Sequence, residues 1–89
     1  MVIIDVRSAA EYRAGHIDGA INLDIRDPGF RLAIRGFPKD QTYLTYCNAG
    51  GRGGQAAEVM RHLGFADVTG CGLIRAVGLS GRTVVSQTG

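Results

Sequence analysis

The sequence predicts a three-layer α/β/α fold with a small parallel sheet of about four strands. The first observation is that short β-branched or apolar segments alternate with helical patterns along the chain. The four predicted strands lie at 2–6, 20–23, 43–46 and 66–69. The second observation is the length, since 89 residues suffice for one domain with no interior linker. We assign residues 1–78 to this domain and predict that residues 79–89 form a loosely packed C-terminal tail.

The first strand and helix are predicted from local chemistry. Residues 2–6 are an apolar run with a single acid, which is too short for a helix and typical of a buried parallel strand. Ser8 and Glu11 have the spacing of a capping box, so a short helix is predicted to begin there and to end at Gly15. Glycines in the segment 15–22 permit a tight turn before the second strand.

Two further helices are predicted in the middle of the chain. Asp27 is expected to cap a short helix whose first turn holds Pro28. The strand at 43–46 leads into a longer helix with one apolar face. The positions i, i+3, i+4 and i+7 of that face are Ala56, Val59, Met60 and Leu63. Gly64 is the predicted end of this helix.

A thiol lies where the third strand ends and the next helix begins. Cys47 is followed by Asn48, Ala49, Gly50, Gly51, Arg52 and Gly53. The glycines let the backbone turn its N–H groups inward, the helix N-terminus carries a partial positive charge, and Arg52 adds a full one. All three effects favour the thiolate, which is the nucleophilic form of cysteine. The sequence therefore predicts that Cys47 is a nucleophile in a loop that accommodates an anionic sulfur.

Composition excludes several classes of protein. Apolar residues make up 45% and charged residues 20%, an ordinary globular mixture. The net charge is +2 without a basic cluster, and no apolar run approaches the roughly 20 residues of a membrane span, so neither a nucleic acid nor a membrane is an expected partner. Two cysteines and scattered histidines predict no metal site. We expect a cytoplasmic monomer, or a periplasmic protein if an export signal has been removed.

The chain resembles a known family in three segments. The run from Cys47 to Glu58 resembles the active-site loop and following helix of rhodanese-like sulfurtransferases, in particular the small single-domain thiosulfate sulfurtransferases of the phage shock protein E type. The segments 5–12 and 15–22 are similar to the amino-terminal signature of that family. The resemblance covers residues 3–77. It implies the spatial strand order 2-1-3-4 in this chain's own counting, with the first strand of the family missing.

The resemblance implies a thiosulfate sulfurtransferase. Cys47 would take a sulfane sulfur from thiosulfate or another persulfide donor and pass it to cyanide or a thiol acceptor. The residues implied to bind the substrate or the persulfide are Asn48, Ala49, Gly50, Gly51, Arg52 and Gly53. Arg52 would attract the anionic donor or lower the pKa of Cys47. No metal or organic cofactor is implied, only a transient persulfide on Cys47.

Three alternatives remain open from the residues. Related cysteine phosphatases and arsenate reductases have five residues between cysteine and arginine, whereas Cys47 and Arg52 are separated by four. A non-catalytic binding or regulatory module of the family is the second alternative, although such relatives often lack the cysteine that this chain keeps. The third is phosphate or nucleotide binding by the glycines, which the missing Lys-Ser/Thr ending of a P-loop disfavours.

Other polar and thiol groups are expected to have structural roles. Asp5, Arg7, Glu11 and His16 could be read as an acid–base set, but charged groups beside a strand end are usually paired for stability. Cys71 lies in a segment that the resemblance places near the catalytic loop. It is either a second thiol close to Cys47 or, as we expect, a small buried residue.

Overall fold

The computed structural model describes residues 1–87 of the chain. Four helices and six strands follow one another along it. In chain order they are β1 (Val2–Asp5), α1 (Ala9–Ala14), β2 (His16–Ile17), β3 (Ile21–Asn22), α2 (Phe30–Arg35), β4 (Thr42–Cys47), α3 (Gly51–His62), β5 (Asp67–Gly72), α4 (Leu73–Ser80) and β6 (Val84–Val85).

The main sheet is parallel and has the strand order β3-β1-β4-β5. This arrangement confirms the predicted α/β fold and the order 2-1-3-4. Strand β5 is longer than predicted and extends to Gly72, because its end continues to pair with β4. In that register Tyr46 lies opposite Cys71 and Cys47 lies opposite Gly72. Strand β1 also pairs with β4 in parallel, with Asp5 opposite Tyr46, so the carboxyl ends of β1 and β4 lie at the same edge of the sheet, where open α/β sheets place their ligands.

Each face of the sheet carries its own apolar core, since side chains alternate between the faces of a strand. In β4, Tyr43 and Cys47 point to one face, and Leu44 and Tyr46 point to the other. The first core includes Ile4, Phe30, Ile34, Ala56, Met60 and Phe65. The second includes Ile3, Ile17, Ala20, Cys71 and Ala76. The sheet therefore has an apolar core on each of its faces, as the predicted three-layer fold requires.

The two short helices begin differently. Helix α1 has the predicted capping box, in which Ser8 Oγ accepts from the Glu11 N–H and the Glu11 carboxylate accepts from the Ser8 N–H. The prediction that α2 begins around Pro28 was wrong, because α2 begins at Phe30. The Asp27 side chain instead accepts from the Gly29 N–H at 2.7 Å, which uses that carboxylate in the preceding turn.

A second, two-stranded sheet was not predicted. Strands β2 and β6 pair antiparallel, with His16 opposite Val85 and Ile17 opposite Val84. The Gln87 N–H also donates to the Arg13 carbonyl at 3.0 Å. Part of the segment predicted as a loose tail is therefore hydrogen-bonded to the domain, although Val84 and Val85 expose their side chains. Residues 88–89 of that segment lie outside the described residues.

Candidate active site

The chain reverses direction within three residues after Cys47. Cys47 is the last residue of β4, and α3 begins at Gly51. Between them Gly50 adopts a left-handed backbone conformation with φ of 106°, which a residue with a side chain rarely adopts. The Leu73 N–H donates to the Asn48 carbonyl at 3.2 Å and so attaches the loop to the start of α4. The turn places the sulfur of Cys47 next to the backbone N–H groups at the N-terminus of α3.

Backbone N–H groups surround the Cys47 sulfur. The Gly50 N–H donates to Sγ at 3.0 Å, and the side chain is buried, with 2% exposed. Burial alone would raise the pKa of Cys47. Hydrogen bonding from the backbone amides of Gly53, Gly50, Arg52 and Ala49 outweighs that effect, so the pKa lies below its ordinary value. The loop is consequently arranged to stabilise a negative sulfur.

Arg52 does not point at the sulfur but is paired with Glu11. Its Nη1 and Nη2 donate to Glu11 Oε1 and Oε2 at 2.8 and 3.0 Å, a bidentate ion pair. The pKa of Glu11 is lowered to about 2, chiefly by this contact with Arg52. Glu11 Oε2 also accepts from Asn48 Nδ2 at 3.0 Å. A single carboxylate from α1 therefore holds both ends of the loop.

A buried ion pair supports the loop from the opposite side. Arg7 Nη2 lies 2.7 Å from Asp5 Oδ2, and both side chains are almost fully buried. Arg7 Nη1 donates to Asn48 Oδ1 at 2.8 Å. The amide of Asn48 is thereby fixed between Arg7 and Glu11, with its oxygen towards the cation and its nitrogen towards the carboxylate. The network runs from the end of β1 to the start of α3.

The predicted site residues form one continuous segment, residues 47–53. The amides of Ala49, Gly50, Arg52 and Gly53 act on the sulfur, whereas the side chains of Asn48 and Arg52 turn towards Glu11. The residues predicted for the site do not include Arg7 and Glu11, which hold the loop. The signal available was their position in the segment that follows β1, with Arg7 in the turn and Glu11 in α1, near the edge of the sheet that carries Cys47.

His16 has a structural environment. Its ring stacks on the Tyr12 ring at a centroid distance of 3.6 Å, and Nδ1 lies 2.7 Å from the Tyr12 carbonyl oxygen. The residue is buried at the start of β2. These contacts account for His16 without a role in proton transfer, in agreement with its expected structural role.

Cys71 lies near Cys47 in the sheet but on the other face. Cys71 is paired with Tyr46, and both belong to the core on the face opposite Cys47. Burial raises the pKa of the Cys71 thiol, and this effect outweighs the opposing charge of Arg75. A sulfur atom that is protonated and separated by the sheet from the loop is poorly placed to attack a persulfide on Cys47.

We therefore expect Cys71→Ala to keep most of the sulfur-transfer activity, within about threefold, because its side chain does not reach the loop. The measurement is the rate of thiocyanate formation from thiosulfate and cyanide. The variant should also take up one sulfur atom from thiosulfate, as is expected of the parent. Inactivity as complete as that of a Cys47 variant would indicate a relay between two thiols.

The comparisons with known proteins agree with this geometry. The model of the rhodanese-like domain family matches residues 1–70. The chain is 34% identical over 76 residues to the thiosulfate sulfurtransferase PspE of Escherichia coli K12, an alignment that covers 85% of this chain and 73% of that protein. It is 37% identical over 67 residues to the thiosulfate sulfurtransferase GlpE of Pseudomonas putida GB-1, with 75% and 59% covered. A solved Escherichia coli structure described as rhodanese with anions superposes with a TM-score of 0.78 at 32% identity and 96% coverage of each chain.

The chain belongs to the rhodanese-like domain family, which confirms the resemblance seen in the sequence. Its relationship to named sulfurtransferases supports sulfurtransferase activity in general. Among residues 1–87, no group of three or more histidine, cysteine or acidic side chains could hold a metal ion. In the same range, none of the helices is both long enough and apolar enough to cross a membrane.

Proposed function

We propose that the protein is a thiosulfate sulfurtransferase that carries sulfur as a persulfide on Cys47. The observation that carries the proposal is the ring of backbone amides around the Cys47 sulfur, with the Gly50 N–H at 3.0 Å. Such preorganised donors stabilise negative charge without reorganising during the reaction. The same amides suit the outer sulfur of a persulfide anion, which carries the charge after transfer.

The reaction proceeds in two displacements. The Cys47 thiolate attacks the outer sulfur of thiosulfate, a new S–S bond forms, and the original S–S bond breaks with its electron pair leaving on sulfite. Cyanide or a thiolate then attacks the outer sulfur of the persulfide. This second step yields thiocyanate or a new persulfide and returns Cys47 as the thiolate. No oxidant, metal or organic cofactor enters the balance.

Phosphate chemistry is disfavoured by the size and contacts of the loop. A phosphate ester needs amides directed at several oxygens and a guanidinium that chelates two of them. Only four residues separate Cys47 from Arg52, and the Arg52 side chain is paired with Glu11. The phosphatase, arsenate reductase and binding-module alternatives have no comparable observation in their favour.

Mass spectrometry of the intact protein tests the proposal. Exposure to thiosulfate should add about 32 Da, one sulfur atom, and a thiol reductant should remove it. The same preparation should form thiocyanate from thiosulfate and cyanide but should not hydrolyse an aryl phosphate measurably. Ready hydrolysis of the aryl phosphate through Cys47, without a sulfur adduct, would refute the proposal in favour of phosphoryl chemistry.

The remaining expectations stay predictions. We propose a monomer, located in the cytoplasm or in the periplasm if an export signal is removed. Its partners would be a small anionic sulfur donor such as thiosulfate and a cyanide or thiol acceptor, without nucleic acid or membrane. The near-neutral charge of +2 supports the absence of a polyanionic partner.

A further inference from the structure

Glu11 holds the cation that was expected to face the substrate. We propose that Glu11 is a positioning and specificity-determining residue, which keeps the Arg52 guanidinium away from the sulfur-binding side of the loop and so limits the affinity of the loop for tetrahedral oxyanions such as sulfate and phosphate. The inference rests on the proposed function for the role of the loop. Beyond that function, the inference states which anions bind weakly to the loop and names Glu11 as the residue responsible.

The Glu11 carboxylate accepts four hydrogen bonds, and the more exposed Arg26 forms a longer ion pair with Oε1 at 3.9 Å. Oε1 accepts from the Ser8 N–H at 3.2 Å and from Arg52 Nη1 at 2.8 Å. Oε2 accepts from Arg52 Nη2 and from Asn48 Nδ2, both at 3.0 Å. All four partners donate, so only a group that is purely an acceptor satisfies them together. An ionised glutamate meets this requirement, and the low pKa of Glu11, caused first by Arg52, keeps it ionised at neutral pH.

The contact removes the terminal fork of Arg52 from use by a substrate. Both terminal nitrogens donate to the carboxylate, and the opposing charge lies 2.8 Å away. The bidentate recognition of two oxyanion oxygens needs such a free fork. In this loop the donors left for an anion are the backbone amides that converge on the single sulfur of Cys47. The single outer sulfur of a persulfide on Cys47 is satisfied by them, whereas a tetrahedral oxyanion leaves its other oxygens without a fixed partner.

The variant Glu11→Gln isolates this contact. Glutamine still serves at the third helical position of a capping box, so the start of α1 is kept. In either orientation of the amide, however, its NH₂ group would face one of the two terminal nitrogens of Arg52, which are themselves donors, so the bidentate pair cannot form. Arg52 thereby loses its bidentate carboxylate partner. We expect the dissociation constants of inorganic sulfate and phosphate, measured by titration calorimetry, to fall by about tenfold or more.

A matched control carries the same change of charge away from the loop. Glu58 forms an exposed ion pair with Arg61 within α3, at 2.8 Å. Glu58→Gln should leave both dissociation constants within about twofold of the parent's, because exposed pairs contribute little and are screened. Equal tightening in Glu58→Gln and Glu11→Gln would reduce the effect to net charge and overturn the proposal.

A double variant shows whether Arg52 mediates the gain. In Glu11→Gln with Arg52→Ala, we expect sulfate and phosphate to bind as in the parent, within about threefold, because neither partner of the ion pair remains. Tightening that persists in the double variant overturns the proposal. So does a loss of more than tenfold relative to the parent, which would mean that Arg52 already binds the anion. This comparison with the parent tests whether Arg52 already binds the anion, and it can be made even if Glu11→Gln alone does not fold.

The anion titrations are independent of catalysis. A parent protein that gains no sulfur from thiosulfate would refute the proposed sulfurtransferase function while the selectivity of the loop could still be measured. Conversely, a parent that forms the persulfide, with a Glu11→Gln variant that binds sulfate no more tightly, would retain the function and remove the role assigned to Glu11.

Discussion

Replacing Cys47 with serine is expected to abolish both the uptake of sulfur from thiosulfate and its transfer to cyanide, by more than about a thousandfold. The reason is that serine keeps the shape of the side chain but supplies a hydroxyl, which is scarcely ionised at neutral pH. The amides that surround the sulfur can donate to the serine oxygen, so the fold should survive. The measurements are intact mass after exposure to thiosulfate and the rate of thiocyanate formation. An unchanged rate in Cys47→Ser would contradict the assignment of the nucleophile.

The pH dependence of the parent protein complements that substitution. Amide hydrogen bonds hold the pKa of Cys47 below its ordinary value despite the opposing effect of burial. The thiolate should therefore persist at pH values below about 8.5, the pKa of an unperturbed thiol. Sulfur uptake should fall only as the pH drops through the lowered pKa and the thiolate is protonated. A half-maximal rate at or above pH 8.5 would mean that the amides do not stabilise the thiolate.

The local elements were predictable because their signals are short in sequence. The capping box of Ser8 and Glu11, the strand before Cys47 and the helix that ends near Gly64 each depend on neighbouring residues. The order of the main sheet was predicted through the family resemblance and agrees with the structure. The position of a thiol between a strand and a helix was likewise readable from the sequence and drew attention to the correct edge of the sheet.

Long-range pairings were not predictable from these patterns. The sheet formed by β2 and β6 joins two strands of two residues each, too short to show a period of alternation. The contact of Glu11 with Arg52 joins residues 41 positions apart, and the charges alone do not specify the pairing. From the sequence, Arg52 was expected to act on the substrate or on Cys47. Its side chain supports the loop through Glu11, its backbone N–H lowers the pKa of Cys47, and its charge also interacts with that of Cys47.

The close approach of α3 to the sheet also escaped prediction. Gly53 in the first turn of α3 lies against the backbones of β4 and β5, and Thr45 Oγ1 donates to the Gly53 carbonyl at 2.8 Å. The glycines after Cys47 were interpreted as freedom for a turn. Gly50 has that role, through its positive φ. Gly53 instead lies within α3, where a side chain would collide with the backbone of the sheet. A sequence motif does not distinguish the two requirements, because both select glycine.

Gly53→Ala is expected to destabilise the fold strongly. A methyl group at this position would lie 2.5 Å from the Cys71 carbonyl oxygen and 3.0 Å from that of Thr45. These are backbone atoms of adjacent strands, which cannot move aside as the end of a flexible side chain can. We expect a loss of about 3 kcal/mol in the free energy of unfolding, at the upper end for overpacked cores. In a domain of this size that corresponds to a fall of more than about 10 °C in Tm, measured by thermal denaturation.

Gly54→Ala is the matched control, since it adds the same methyl group to the next residue of the same helix. A Cβ atom at Gly54 would meet nothing within 4 Å. Because alanine is the better helix former, this variant should gain about 0.5–1 kcal/mol and melt a few degrees higher. Gly53→Ala should also slow sulfur uptake, because displacement of α3 would carry the Gly53 and Gly50 amides away from Cys47. Equal stability of the two variants would show that the close approach of α3 to the sheet does not require glycine at position 53.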